Sequence, residues 1–161
     1  MRGLDKIDGY STHQSKVFAQ PLTQAVAEFV RSGGNLLVSG AFVGSDMTSE
    51  KDRLFTRSVL KYEYAGALDG DSIQGISGLN LNFDIFRSLN EQNYCVPAVD
   101  CLVPIGNGFC PMVYSPSGQS AAVAYQGSDY HSFVMGFPLE SIADSNSRIG
   151  ILRGILQFLI P

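Results

Sequence analysis

Residues 22–46, LTQAVAEFVRSGGNLLVSGAFVGSD, constrain the chain most, because three structural signals follow one another without a gap. Leu22, Ala25, Val26, Phe29 and Val30 recur at the helical period, Pro21 suits a first turn, and Gly33-Gly34 ends the run. Asn35 to Ser39 follows as a short apolar run bounded by turn residues, the pattern of a strand buried on both faces. Helix, glycine pair and buried strand in that order point to a parallel sheet. Gly40, Phe42 and Gly44 then give the spacing of a nucleophile elbow, with a phenyl ring where the attacking group would stand.

Downstream, Asp46, Thr48 and Ser49 are N-cap types, Glu50 and Asp52 favour a first turn's dipole, and Leu54, Phe55, Val59 and Leu60 supply an apolar helix face. From Tyr62 to about Asp100, Gly66, Gly70, Gly75 and Gly78 punctuate β-prone pieces such as SIQGIS and LNLNFDIF, which read as irregular hairpins. Strands are expected at MVYS (112–115), AAVAY (121–125) and SFVMGF (132–137), where the short links PSGQ and QGSDYH favour antiparallel pairing. Asp144 or Ser145 caps a last helix whose Ile149, Leu152, Ile155, Leu156 and Leu159 are expected to face one way.

No internal repeat or linker interrupts the pattern, so residues 1–161 read as one domain. A doubly wound sheet opens with a buried strand, yet residues 1–20 offer only KVFA. The N-terminal edge is therefore expected to be incomplete, completed by a partner or by sequence upstream.

Composition removes several partners. With 45% hydrophobic and 16% charged residues, the chain suits a globular domain with a substantial core. A net charge of −4, with Lys and Arg scattered, gives no field to gather nucleic acid or anionic lipid. No apolar stretch approaches the roughly 20 residues of a membrane span, and the opening MRGLDKIDGYSTHQSK lacks the apolar core of a signal peptide. Cys95, Cys101 and Cys110 lack metal-ligand spacing; Cys95 and Cys101 flank VPAVD closely enough to pair in an oxidising compartment, and three free thiols would suit a reducing one.

Residues 22–46, together with AAVAY, SFVMGFPLE and RIGILRGILQFL, resemble the class I glutamine amidotransferase-like domain, a flavodoxin-like fold. The version they look most like belongs to large secreted proteins of Bacteroidetes-type bacteria labelled xanthan lyase. The resemblance covers the chain apart from the hairpin region. It implies an α/β three-layer sandwich with a mixed, mostly parallel sheet, a larger parent protein, and a periplasmic or extracellular setting. Working members carry a cysteine on the elbow and a histidine and glutamate in a Q-F-H-P-E-like stretch. Matched to that pattern, Phe42 replaces the nucleophile and Pro138 of GFPLE the histidine, while Glu140 is kept. The resemblance thus implies a non-catalytic module, degenerate at two positions, that packs or assembles with a carbohydrate-active protein or a second copy of itself.

Other residues offer alternatives. A hydrolase would need Ser39 or Ser45 with His131 and Asp46 or Asp129, although these types also serve as caps and loop polar groups. A polysaccharide lyase or glycosidase would draw on Asp46, Glu50 and Asp52, or on Tyr62, Tyr64 and His131, the tyrosines being equally suited to stacking on sugars or filling the core. The string GSDMTSEKD lacks the alternating ligands of a calcium loop, no lysine or threonine completes a phosphate loop, and the phosphate-contacting loop of the flavin-binding fold is missing. No metal or cofactor is expected.

Overall fold

Two four-residue links decide how the sheet is built. They join β6 (Gly108–Ser115) to β7 (Ser120–Gln126) and β7 to β8 (His131–Met135), too short for the crossover that parallel neighbours require. The computed structural model describes residues 16–86 and 98–160. The remaining elements are α1 (Gln20–Arg31), β1 (Leu36–Ser39), α2 (Glu50–Phe55) with a π-helical continuation (Thr56–Leu60), β2 (Tyr62–Leu68), β3 (Ser72–Gly75), β4 (Asn82–Asp84), β5 (Val99–Pro104) and α3 (Ser145–Leu159).

Six strands form one sheet in the order β1-β8-β7-β6-β3-β4, and β2 pairs with β5 in a separate ribbon. Among the described residues only β1 and β8 run parallel; β8-β7, β7-β6, β6-β3 and β3-β4 are antiparallel. The mostly parallel, flavodoxin-like three-layer sandwich is therefore not the fold of this chain. The helix-GG-strand string correctly marks one parallel strand, but the consecutive strands after it form antiparallel neighbours. KVFA forms no strand: Val17 and Phe18 are buried in a turn. β1, at the sheet edge, is only half-buried along its length.

The sheet separates two cores, and alternation along its central strands feeds both. Ala122 and Ala124 of β7 and Phe133 and Met135 of β8 join Ile151, Ile155 and Leu159 of α3 on one side. Val123 and Val134 point the other way, toward Phe55, Leu60, Tyr62 and Leu102. The expected face of α3 is thus rotated: Ile149 and Leu156 are exposed, whereas Ile151 is buried. Gly150 and Gly154 bring the same helix close to Leu81 and Leu79.

Both helix starts follow their sequence signals. Ser49 and Asp52 form a reciprocal capping box on α2, and Asp144 accepts from the Ser147 amide at 2.6 Å on α3. The GSDMTSEKD acids also clamp the start of the described chain. Asp46 Oδ2 accepts from the Val17 amide at 2.8 Å, Asp52 pairs with the Lys16 ammonium, and the Phe18 and Phe55 rings meet at 5.5 Å.

Burial raises the Asp52 pKa, but the hydrogen bonds from Lys16 and Ser49 outweigh it and leave the carboxyl below its ordinary 3.8. A depressed folded-state pKa contributes stability that is present above the unfolded value and lost as pH falls through the folded one. The stability gap between wild type and Asp52→Asn in urea is therefore expected to be larger at pH 7 than at pH 3. An equal gap at both would show that the carboxylate charge does not hold this clamp.

Candidate functional site

The Gly40–Gly44 turn leaves the end of β1 beside the end of β8. Ser39 Oγ accepts from the Leu139 amide at 2.6 Å and lies 3.4 Å from the Phe137 carbonyl, which brings the GAFVG and GFPLE strings together. Phe42 sits at φ 61°, in the left-handed region that non-glycine residues rarely occupy. The unusual backbone conformation is thus carried by the phenylalanine, not by either glycine. Gly44 serves close approach: an added Cβ would lie 2.7 Å from Tyr64 Cδ2 and 2.9 Å from Leu102 Cδ2. Gly40 is roomier, its nearest such neighbour being Val43 Cγ1 at 3.6 Å.

A residue absent from the sequence-derived candidates holds the turn. Asp100 Oδ2 accepts from the Gly44 amide at 2.7 Å, the Ser45 amide at 3.0 Å and the Ser45 hydroxyl at 3.3 Å. Its own backbone is fixed on both sides, with its amide donating to the Gly136 carbonyl at 2.8 Å and its carbonyl accepting from Tyr114 Oη at 3.0 Å. Tyr62 Oη donates to the Val43 carbonyl at 2.5 Å. Burial foremost, then the Asp100 charge, pushes the Tyr62 hydroxyl pKa far up, so it stays protonated and donates. The signal for Asp100 was available: an acid inside VDCLV must find partners if the strand is buried.

The candidate groups for chemistry are dispersed. His131 begins β8 beside Asn35, and its amide donates to Asn35 Oδ1 at 2.7 Å. Its Nδ1 lies 2.9 Å from the Phe158 carbonyl, which can only accept, so Nδ1 carries the proton of that bond. In the parallel register Ser39 pairs with Met135, four residues further along β8, or roughly 13 Å at the strand rise. His131 is therefore at the opposite end of the β1–β8 pair from Ser39. Ser45 and Asp46 face Asp100 and Val17, and Glu140 is exposed in a 3-10 turn (Leu139–Ser141). Pro138 is buried and caps that turn, its carbonyl accepting from Ser141 Oγ at 2.6 Å.

Asp129 bonds Tyr125 Oη at 2.9 Å in the β7–β8 hairpin. Glu50 is exposed on α2, and Asp52 is taken up by Lys16 and Ser49. Cys101 and Cys110 are free thiols, and Cys95 lies outside the described residues. Among the described residues no three His, Cys, Asp or Glu side chains gather to hold a metal, and no helix is long and apolar enough to cross a membrane.

Beside the turn, with Gly44 and Ser45 in its wall, lies a cleft of about 360 Å³, within the range of small-molecule pockets. Ser45, Thr48, Arg53, Arg57, Glu63 and Tyr64 supply most of its polar lining. Arg53 donates from Nε and Nη2 to the Thr48 carbonyl at 3.2 and 2.7 Å, and Arg57 Nη2 pairs with Glu63 Oε1 at 2.7 Å. Tyr64, 41% exposed as a residue, lays its ring against Gly44. Burial, with Asp100 and Cys101 nearby, keeps its hydroxyl pKa above the ordinary value, so this group donates at neutral pH.

No protein-family model matches the chain, and a search of curated proteins finds no match.

Proposed function

We propose that the chain is a non-catalytic module that works by packing or assembly, its glycine turn serving as shape. The observation that carries this reading is the turn itself: Phe42 stands at its centre, and the carboxylate that contacts it, Asp100, is engaged by two backbone amides and a hydroxyl. A carboxylate held in this way orients backbone rather than a nucleophile or base. The partner in this reading is a carbohydrate-active protein, another domain of the same parent protein, or a second copy. That part rests on the sequence strings alone, since the fold they implied is not the one adopted.

Phe42 packs against both cores but is only half-buried, so the cost of removing it falls below that of a fully buried ring. Phe42→Ala is expected to lower stability by about 2 kcal/mol, against roughly 3–5 kcal/mol for complete burial. Phe42→Gly should cost about 1 kcal/mol less than the alanine variant, because glycine adopts a positive φ without a steric penalty. Urea denaturation of the three proteins checks both values. An alanine variant as stable as wild type would mean the ring is not there for packing, and stoichiometric labelling of Ser39 or Ser45 by an acylating probe would overturn the non-catalytic reading.

A further inference from the structure

We propose that the cleft beside the turn binds a six-membered ring bearing one carboxylate and hydroxyl groups. This deepens the reading above and rests on it, the ligand being held and released unchanged. Arg53 of α2 and Arg57 of its π-helical continuation both line the cleft. Among the described residues, contacts engage Nε and Nη2 of Arg53 and Nη2 of Arg57, so Nη1 of each is left to donate to a carboxylate.

Charge fixes the ligand's valence. Glu63 neutralises one guanidinium, leaving the lining with a net charge of about +1, which matches a monocarboxylate and falls short of a di- or triphosphate. Tyr64 supplies a flat apolar face that is braced from behind, because its ring lies against Gly44 where no side chain intervenes. A ring stacked there keeps its edge toward polar groups. Thr48 hydroxyl and Tyr64 hydroxyl can donate to ligand oxygens, and the Glu63 carboxylate can accept from ligand hydroxyls. Aromatic stacking supplies contact area and the planar charged groups supply orientation, the division of labour usual in small-ligand clefts.

Two sources share this chemistry, a sugar acid and a hydroxylated aromatic acid, and a titration separates them. The full chain is titrated with methyl glucuronide, 3,4-dihydroxybenzoate, methyl glucoside and acetate, following backbone amide shifts by NMR. Saturable shifts at Ser45, Thr48 and Tyr64 with either ring acid, at least tenfold tighter than with methyl glucoside or acetate, are expected; the tighter of the two acids identifies the source. Arg57→Gln and Tyr64→Ala should each weaken that binding at least tenfold while leaving the amide spectrum elsewhere unchanged. Equal affinity for methyl glucoside would overturn the role of the arginines, and equal affinity for acetate the role of Tyr64. Absence of saturable shifts with all four overturns the site while leaving the non-catalytic reading intact. New ligand signals from a converted product would instead overturn the non-catalytic reading.

Discussion

Replacing Asp100 with alanine is expected to lower stability by roughly 3–5 kcal/mol, the largest loss for any single side chain around the turn. The change strands two backbone amides, of Gly44 and Ser45, that donate to one carboxylate oxygen in a buried setting. Each stranded buried donor costs about 1–3 kcal/mol, because water cannot follow it inside. Asp100→Asn keeps one accepting oxygen but loses the charge and turns the other oxygen into an amide donor, so it should cost about 1–2 kcal/mol. Urea denaturation at neutral pH distinguishes the two. If alanine and asparagine cost the same, the amides have found other acceptors and Asp100 is not the anchor of the turn.

Gly136→Ala should cost about 3 kcal/mol or more, for a different reason. A Cβ there would overlap the Asp100 carbonyl oxygen and lie 3.1 Å from Tyr114 Oη. Neither neighbour can step aside cheaply: the Gly136 carbonyl accepts from the Asp100 amide at 2.8 Å, and the Gly136 amide donates to Ala121 at 2.9 Å. The methyl group would force β5 away from the end of β8 and drag the Asp100 carboxylate off the turn. Gly40→Ala is the matched control, since its Cβ would meet nothing nearer than 3.6 Å and should change stability by no more than about 0.5 kcal/mol. Thermal or urea unfolding of both variants tests this, and a Gly136→Ala protein within about 0.5 kcal/mol of wild type would mean that the β5–β8 junction yields freely.

What could be read from sequence was local. The glycine pair after α1, the apolar run of β1, the Ser49 box and the Asp144 cap each carry their signal within a few residues, and each stands where it was expected. Pairing between distant strands carries no such signal. β2 finds β5 across the intervening β3 and β4, which is why 62–100 read as local hairpins when, among the described residues, only β3 and β4 form one. Helix facing was ambiguous for α3, where Ile149, Ile151, Leu152, Ile155, Leu156 and Leu159 leave two overlapping apolar stripes; contact with Leu79 and Leu81 at Gly154 and Gly150 marks the side that packs. At the site, Phe42 was legible as an odd residue in a glycine frame. Asp100 was legible only as an acid in an apolar strand in need of partners; which partners it takes was not, because a carboxylate and two amides 55 and 56 residues apart meet in space.

The same separations govern when the turn comes into being. β1 and β8 meet across 96 residues at the Asn35–His131 bond, and Ser39 reaches Leu139 across 100. Contacts this far apart must absorb loop-closure entropy before they return any stabilisation, and chains built on them fold slowly. Two bonds at GAFVG are local, from the Asp46 amide to the Phe42 carbonyl at 3.2 Å and from the Met47 amide to the Gly44 carbonyl at 3.0 Å, but its carboxylate anchor is distant in sequence. The shape that makes those five residues look like a catalytic motif therefore depends on β5 delivering Asp100 and on β8 closing beside β1, and is expected to be complete only once both are in place.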